Sequence, residues 1–346
     1  MRRQIQQVCR QICATPAETK RKVRIAYATL LIIATIAGAL IVATAEFELR
    51  RLEEAAQRSA TPPFPVGVDL VRKRIVESPE VNTYFAVYIS AHTNRPQQLS
   101  ILEQVFEKIS ESVWYQQLAS PTGRVLVIQP GQRKEEVAEK FAELLSWDTE
   151  SRTEFLTLTN KSSHLTEGIY FPGRYLTHVE ATPKEVSALI TTAFGAEILT
   201  RYTNEVALQV PLEQALIIAS LIEREAYDFT DARIISGIIW NRLFAGMHLQ
   251  LDATLQYAKA DGTHGTWWPR AVPEDKYIDS PFNTYEHSGL PPAPIANPSL
   301  DAILAALNPI ETDCMFYFHD DYSKFHCSET YEEHVGLLRL HYGQGR

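Results

Sequence analysis

The chain has 346 residues, of which 45% are hydrophobic and 22% charged, the balance of a folded globular protein long enough for two domains. Its formal net charge of −9 argues against nucleic-acid binding, which usually requires a basic surface. The sequence holds no CxxC pair, no His/Cys spacing typical of a metal site and no glycine-rich phosphate loop, so it predicts no metal or other cofactor.

The N-terminal part of the chain predicts a membrane anchor. Residues 1–24 hold seven lysine or arginine side chains and a single acidic one, and residues 25–45 then run for 21 positions without a charge. Such a run spans a hydrocarbon core of about 30 Å as a helix, and its basic flank predicts that residues 1–24 are cytoplasmic. The alternative is a signal peptide cleaved after Ala43-Thr44-Ala45, which the length of the apolar run disfavours. We therefore predict a retained transmembrane helix at 25–45, with the rest of the chain outside the cytoplasm.

A stalk and a small α/β unit are predicted next. Residues 46–122 begin with a charged helical stalk that a Thr-Pro-Pro sequence ends, and the mixed patterns after it carry no functional signal. Residues 123–180 predict a compact βα unit: a strand in RVLVIQPGQ, a Pro-Gly turn, and the helix KEEVAEKFAELL with apolar residues at helical spacing. An aromatic-rich turn, EGIYFPGRYL, follows.

Residues 181–342 predict a mainly helical region that ends in a hairpin and a helix, so the fold class is α+β. Five prolines between positions 280 and 299 predict a long loop. Helices are predicted from Pro183 to about Tyr202, from Leu212 to Ala226, from about Ala232 to Ala245 with Thr230 or Asp231 as the cap, from a cap at Asp252, from a cap at Ser299, and from near Tyr331.

The predicted hairpin contains two cysteines that could form a disulfide bond. The segments TDCMFYF and SKFHCS predict strands that pair around a loop at 319–322, which places Cys314 opposite Cys327 at a distance that a disulfide bond can close. A slip of one residue would send the two side chains to opposite faces, so the bridge stays an open hypothesis. Outside the cytoplasm such a bridge is stable, whereas Cys9 and Cys13 in the basic tail are expected to be reduced.

The helix from Leu212 ends in two carboxylates, Glu223 and Glu225. They lie about 200° apart around the helix axis, so they cannot share one site. The negative end of the helix dipole and apolar neighbours raise the pKa of whichever carboxyl is buried, and a raised pKa suits a proton donor near neutral pH. The alternative is that both acids only keep the helix end soluble.

One carboxyl suffices to cleave a glycosidic bond when the substrate supplies its own nucleophile, as the 6-hydroxyl of N-acetylmuramic acid does in peptidoglycan. The elements ASLIEREAYDF, IWNRLFAGMHLQLDATLQYA, NTYEHSGLPPAPIANPS and FYFHDDYSKFHCSETYEEHV follow one another in the order found in the endolytic murein transglycosylases. Over roughly residues 124–342 the chain therefore resembles this family (MltG, YceG-like).

The resemblance implies Glu225 as the catalytic acid of a lyase that cleaves the MurNAc–GlcNAc β-1,4 bond and leaves 1,6-anhydro-MurNAc ends. It implies a LysM-like subdomain at 123–180, a lytic transglycosylase catalytic domain at 181–342, and a single-pass protein of the bacterial inner membrane, near wall synthases, with its catalytic domain on the periplasmic side. It also implies a substrate cleft lined by Asn241, Arg242, Gln250, Asp252, Thr254, Tyr257, Asn283, Thr284 and Tyr285. For each of these a structural role is equally open: Asp252 as a helix cap, Arg242 in an ion pair.

Four positions depart from the family pattern. Ala226 replaces a threonine after the catalytic glutamate, Ala253 a proline, Ala293 a glycine, and Phe325 the histidine of the terminal strand. Two alternative functions therefore stay open: a hydrolase in which Asp252 activates water beside Glu225, and a catalytically inactive scaffold that binds peptidoglycan.

Overall fold

The computed structural model describes residues 63–77, 122–162, 165–260 and 266–343, together with Ala28, Asn82, Thr83 and Phe85. The predicted transmembrane helix at 25–45 and the stalk after it lie outside these residues, apart from Ala28. Across the described ranges, no helix combines the length and the apolar character that crossing a membrane requires.

The described chain is α+β, with nine α-helices and six short strands. The strands are β1 (Val68–Asp69), β2 (Arg74–Ile75), β3 (Gly123–Ile128), β4 (Gly173–His178), β5 (Phe316–His319) and β6 (Phe325–Ser328). The helices are α1 (Lys134–Leu145), α2 (Thr149–Ser162), α3 (Pro183–Phe194), α4 (Asn204–Gln209), α5 (Leu212–Glu225), α6 (Phe229–Ala245), α7 (Asp252–Lys259), α8 (Leu300–Leu307) and α9 (Tyr331–Tyr342).

Residues 123–178 form a βααβ unit. Strand β3 pairs with β4 in antiparallel register, from Gly123 opposite His178 to Ile128 opposite Gly173, and α1 and α2 lie between them in the chain. The predicted strand and first helix are confirmed, and α1 buries the expected Val137, Phe141, Leu144 and Leu145. The sequence analysis missed α2 because its mostly polar residues give a weak apolar stripe.

Helices α5, α6 and α8 pack against one another to form the centre of the larger helical region. Eight consecutive residues of α5, from Ala215 to Ile222, are buried, and every residue of α8 from Ala302 on is buried too. Trp240 on α6 donates a 3.0 Å hydrogen bond to the carbonyl of Ala306 on α8. A helix that is apolar all round is stable only inside such a bundle.

The aromatic turn after α2 fastens the βααβ unit to the helical region. Gly168 has φ +82°, and a Cβ there would lie 3.0 Å from Pro294 of the proline-rich loop, so this position needs glycine. Asn297 in the same loop accepts a 3.0 Å hydrogen bond from the backbone amide of Tyr170 and donates one of 2.8 Å to the carbonyl of Gln132.

Several predicted boundaries are confirmed and others are wrong. Helix α8 begins after Ser299, whose hydroxyl accepts from the amide of Ala302, and α9 begins at Tyr331 as predicted. Helix α6 begins at Phe229 rather than near Ala232, because Asp228 and neither of the two proposed residues is its cap.

Two further caps or ends differ from prediction. Asp252 occupies the first turn of α7 and the capping position is Leu251, so the predicted cap role of Asp252 is wrong. The helix from Pro183 leaves α-helical geometry after Phe194 and continues as a π-helical turn, Gly195–Leu199.

The hairpin register also differs. Tyr317 lies opposite Cys327 and His319 opposite Phe325, so the connecting loop is five residues long rather than four. Cys314 and Cys327 are nevertheless bonded, with their Cα atoms 5.8 Å apart. The bridge joins a residue before β5 to a residue within β6, not two directly paired positions.

Candidate active site

Helix α5 delivers Glu225 to the edge of the helical core. Its buried stretch fixes the helix among α6 and α8, and the helix ends at Glu225 because Ala226 adopts an extended backbone, with φ −81° and ψ 145°. The last side chain of the helix therefore projects from a rigid element rather than from a loop.

The carboxyl of Glu225 is held by a tyrosine from the terminal hairpin. The hydroxyl of Tyr317 on β5 donates a 2.9 Å hydrogen bond to Oε2 of Glu225. Burial raises the pKa of Glu225, and the negative charge of Asp252 raises it further. The Tyr317 bond, the backbone amide of Ala253 and the charge of His319 act against that rise in pKa. The balance is a carboxyl that keeps its proton to higher pH than an ordinary glutamate does.

Glu223 belongs to a different contact. Its Oε2 accepts a 2.8 Å hydrogen bond from the backbone amide of Ser299 and one of 2.6 Å from the hydroxyl of the same residue. Burial also raises the pKa of Glu223. This carboxyl joins α5 to the start of α8, whereas Glu225 contacts the terminal hairpin, as the 200° separation on the helix predicts.

Asp252 and Tyr285 form a hydrogen-bonded pair whose Asp252 charge acts on Glu225. The hydroxyl of Tyr285 donates a 2.6 Å hydrogen bond to Oδ1 of Asp252, whose side chain is exposed. The amine of Lys276 lies 4.9 Å from the centre of the Tyr285 ring. These polar groups are open to a ligand.

Asn241 and Arg242 on α6 are engaged with backbone carbonyls. The amide of Asn241 donates to the carbonyls of Thr312 at 2.6 Å and Cys314 at 3.3 Å. The buried guanidinium of Arg242 donates to the carbonyl of Met315 at 2.7 Å and to that of Leu249. No ion pair of Arg242 is found in the described part of the chain, and the two residues hold the segments that precede β5 and α7.

Asn283, Thr284 and Thr254 are buried and hydrogen-bonded within the fold. The amide of Asn283 donates to the carbonyls of Lys276 and Ile278 at 3.0 and 2.9 Å. The hydroxyls of Thr284 and Thr254 lie 3.0 Å apart, and that of Thr284 also accepts from the amide of Leu251. These three residues hold the loop of Tyr285 against the start of α7.

Gln250 and Tyr257 lie at the two ends of this segment. Gln250 is exposed and has φ +53°, a left-handed conformation uncommon for a residue with a side chain. The ring of Tyr257 lies 4.0 Å from the guanidinium of Arg133 and 4.6 Å from the ring of Phe282. Gln250 offers a free face, whereas Tyr257 contacts the βααβ unit.

The sequence analysis did not assign Tyr317 and His319 to the site, and it proposed Asp231 only as a helix cap. His319 on β5 lies 3.0 Å from Oδ2 of Asp231 on α6, and the ring of Phe325 stacks on Tyr317 at 5.8 Å. A signal was present: alternate residues of one strand share a face, so FYFH places Tyr317 and His319 on the same side. The contact between Tyr317 and Glu225 could not be predicted because the two residues lie far apart in the sequence.

The chemistry that this arrangement supports is proton transfer. A carboxyl with a raised pKa, oriented by a tyrosine and near the exposed Asp252, can donate a proton to a bound oxygen and later accept one.

Comparison with known proteins extends these observations. Residues 65–339 match the YceG-like family, so the match includes segment 66–122, for which the sequence analysis had no interpretation. Proteins named endolytic murein transglycosylase from Streptococcus pneumoniae (strain D39) and Bacillus subtilis (strain 168) are 30% identical over 169 residues and 34% identical over 173 residues. Each alignment covers 49% of this chain, but 31% and 46% of the relative, so the chain spans less than half the length of the curated relatives it matches.

A crystal structure of a yceG-like protein from Listeria monocytogenes has the same fold. Its TM-score is 0.54 at 22% identity, and the alignment covers 74% of this chain and 90% of that one. The family match over 65–339, the relatives and the order of the motifs around Glu225 lead to one conclusion: this chain belongs to the YceG-like family.

Proposed function

We propose that this chain is an endolytic peptidoglycan lytic transglycosylase with Glu225 as its single catalytic acid and base. The observation that carries the proposal is the raised pKa of the Glu225 carboxyl, one oxygen of which is held by Tyr317. The names of the relatives, endolytic murein transglycosylases, support the same reaction.

The reaction needs two proton transfers. Protonated Glu225 gives its proton to the glycosidic oxygen as the bond between that oxygen and C1 of MurNAc breaks. The resulting carboxylate then takes the proton of the MurNAc 6-hydroxyl as its oxygen bonds to C1. The products are a GlcNAc hydroxyl end and a 1,6-anhydro-MurNAc end, water is not consumed, and Glu225 is protonated again.

Tyr317 and Arg242 set the conditions for these transfers. The bond from Tyr317 to Oε2 fixes the orientation of the Glu225 carboxyl. The charge of Arg242 acts on Glu225 and Tyr317 from the interior side and favours the carboxylate that forms after the first transfer. Arg242 acts through the pocket and we assign it no contact with sugar.

Substrate contact falls on the residues whose polar groups remain open. Gln250, Asp252 and Tyr285 have exposed or partly exposed side chains near the start of α7, where the Ala253 amide contacts Glu225, and are suited to sugar hydroxyl and N-acetyl groups. Among the predicted cleft residues, Asn241, Arg242, Thr254, Asn283 and Thr284 support this region through the contacts described above. Tyr257 joins the region to the βααβ unit.

The βααβ unit is proposed as the LysM-like subdomain that holds a second part of the glycan strand. It is fastened to the catalytic region by Gly168 and Asn297, so a strand bound there keeps a constant distance from Glu225. Such a constant distance favours cleavage within a strand over cleavage at its end.

The location that fits this substrate is the outer side of the bacterial inner membrane. The basic residues 1–24, the uncharged run 25–45 and the Cys314–Cys327 disulfide all support an anchored protein with an exported catalytic region. An enzyme that cleaves growing glycan strands would act near wall synthases.

Product analysis tests the proposal. The purified chain is incubated with uncrosslinked glycan strands, and the new ends are identified by mass spectrometry. Anhydro ends without new reducing ends are expected. New reducing ends would indicate a hydrolase that uses Asp252 with Glu225, and the absence of cleavage with retained glycan binding would indicate a scaffold; either result would overturn the proposed reaction.

A further inference from the structure

The terminal hairpin has two faces with different partners. Side chains alternate along a strand, so Tyr317 and His319 lie on the face that meets Glu225 and Asp231. Phe318 and His326, which pair directly across the two strands, lie on the other face and meet helix α9. The second face has no part in the reaction described above.

On that second face, three metal-binding side chains converge. Asp320 from the hairpin loop, His326 from β6 and His341 from α9 place one ligand atom each within 4.8 Å of one another. Oδ2 of Asp320 lies 2.8 Å from Nε2 of His326 and 3.9 Å from Nδ1 of His341. The three side chains are 8%, 14% and 28% exposed, so the cluster is enclosed on two sides and open at His341.

The carboxylate is already oriented for a ligand. Oδ1 of Asp320 accepts hydrogen bonds from the backbone amides of Tyr322 at 2.9 Å and Lys324 at 3.0 Å. These bonds hold the carboxylate plane and leave Oδ2 directed at the two imidazoles. The rings of His326 and His341 lie 4.3 Å apart, and the ring of Phe318 packs beside both.

Two imidazole nitrogens and one carboxylate oxygen are a donor set for a divalent transition metal. With metal–ligand distances near 2.0–2.1 Å, donor atoms in a tetrahedral site lie about 3.3 Å apart. The two measured distances, 2.8 and 3.9 Å, each differ from that value by roughly half an ångström. The two imidazole nitrogens lie within 4.8 Å of each other, so rotations of His326 and His341 would be needed to bring all three donors to one ion, and the more exposed side at His341 would leave a fourth position for water.

We propose that Asp320, His326 and His341 bind a Zn²⁺-type metal ion that joins helix α9 to the tip of the hairpin. The ion would fix the hairpin from behind while its front face presents Tyr317 to Glu225. The role is structural: none of the three ligands touches the Glu225 carboxyl. The sequence analysis predicted no metal site because the ligands come from a loop, a strand and a helix and form no short spacing motif.

Direct metal binding tests the site without any activity measurement. The full chain is purified in detergent without a polyhistidine tag, and Cys9 and Cys13 are alkylated without reductant so that the disulfide stays closed and no thiol competes. After chelator treatment, equilibrium dialysis measures bound Zn²⁺, and visible absorption of Co²⁺ reports tetrahedral coordination. The wild-type chain is expected to bind one ion, and Zn²⁺ is expected to raise its melting temperature.

Two variants and one control decide the outcome. His341→Asn and Asp320→Asn should bind Zn²⁺ roughly tenfold or more weakly and lose the tetrahedral Co²⁺ absorption. His178→Asn, an exposed histidine on β4, should bind as the wild type does. Each variant is first compared with wild type in metal-free thermal unfolding; His341→Asn, at the partly exposed end of α9, carries the test if Asp320→Asn does not fold.

Wild-type protein that retains no Zn²⁺, or variants that bind as tightly as His178→Asn, would overturn the proposal and leave an Asp320–His326 hydrogen bond in its place. Since the readout is metal content, it is independent of whether the chain cleaves peptidoglycan.

Discussion

Glu223 and Glu225 lie two positions apart on α5, yet their carboxyls are held by different parts of the chain. Ser299, at the start of α8, donates two hydrogen bonds to Glu223, whereas Tyr317, on β5, donates one to Glu225. Both carboxyls have a raised pKa because both are buried. Burial alone therefore does not distinguish the proposed catalytic residue from its neighbour; the two carboxyls differ in their contacts.

Glu225→Gln is expected to lose at least ~10²–10⁴-fold in the rate of anhydro-end formation, because a sugar alkoxide leaves poorly without a proton donor. The amide oxygen of glutamine still accepts from Tyr317, so the thermal unfolding of the variant should match that of the wild type. Glu223→Gln is the matched control: its amide oxygen still accepts from Ser299, and its activity should stay near wild type. Activity retained in Glu225→Gln but lost in Glu223→Gln would show that the wrong carboxyl was chosen.

Tyr317→Phe is expected to slow the reaction about tenfold. This factor corresponds to the free energy of one hydrogen bond to a charged group, the bond that orients Glu225. The bond from Tyr317 favours the charged form of Glu225, so its removal raises the pKa of Glu225 further. The acid must be protonated at the first step, and activity falls as pH rises through that pKa. The alkaline limb of the pH–rate profile should therefore move to higher pH.

Tyr202→Phe serves as the control for this variant, since it also loses one hydroxyl bond, of 2.7 Å to the carbonyl of Val210, away from Glu225. Its alkaline limb should coincide with that of the wild type. An unchanged limb in Tyr317→Phe would mean that Tyr317 does not set the protonation of Glu225.

The Cys314–Cys327 disulfide should stabilise the terminal hairpin. Its sequence separation is 13 residues, which corresponds to about 3 kcal/mol of unfolding free energy in the loop-entropy description. Reductant should lower the denaturation midpoint of the wild type and leave that of a Cys314→Ser/Cys327→Ser double variant unchanged. If alkylation without reductant labels four thiols rather than Cys9 and Cys13 alone, the bond does not form in solution.

Glu167 makes the stability of the βααβ unit depend on pH. Burial, with a contribution from the charge of Glu135, raises the pKa of Glu167 to about 8 from an ordinary value of 4.5. Between these two values the folded chain keeps a proton that the unfolded chain has lost, so this group makes the protein less stable as pH rises from about 5 to about 8.

Glu167→Gln should weaken that pH dependence and raise the free energy of unfolding near pH 8 by a few kcal/mol. The amide oxygen can still accept from the backbone amide of Lys134, which Glu167 contacts at 3.0 Å. Urea denaturation at pH 5 and pH 8 measures the effect, with the exposed Glu154→Gln on α2 as control. A pH dependence equal to that of wild type would show that Glu167 is already charged in the folded protein.

The topology prediction is tested by a reporter fused after Arg346 in a bacterial host. The excess of basic residues before the uncharged run 25–45 predicts that the reporter works only outside the cytoplasm. Exchange of the basic residues of 1–24 for neutral ones should weaken this preference. A reporter active only inside the cell would mean that residues 46–346 are cytoplasmic and cannot reach a wall substrate.

The sequence by itself determined the elements whose signals are local. Ser299 caps α8, α1 spans the predicted residues with the predicted buried side chains, and α5 runs from Leu212 to its terminal carboxyls. Caps and apolar spacing act over one or two helical turns, so neighbouring residues contain the whole signal.

Only the tertiary structure decided what the polar residues of the motifs contact. Tyr317 contacts Glu225 across 92 positions of the sequence. The side-chain amide of Asn241 donates to a backbone carbonyl far away in the sequence, and that of Asn283 donates to carbonyls of its own loop. The hairpin register differs from the predicted one because a five-residue loop, with Asp320 accepting from its amides, replaces the four-residue turn. A hydrogen bond depends on which groups folding brings within about 3 Å, and residue order contains no direct record of that distance.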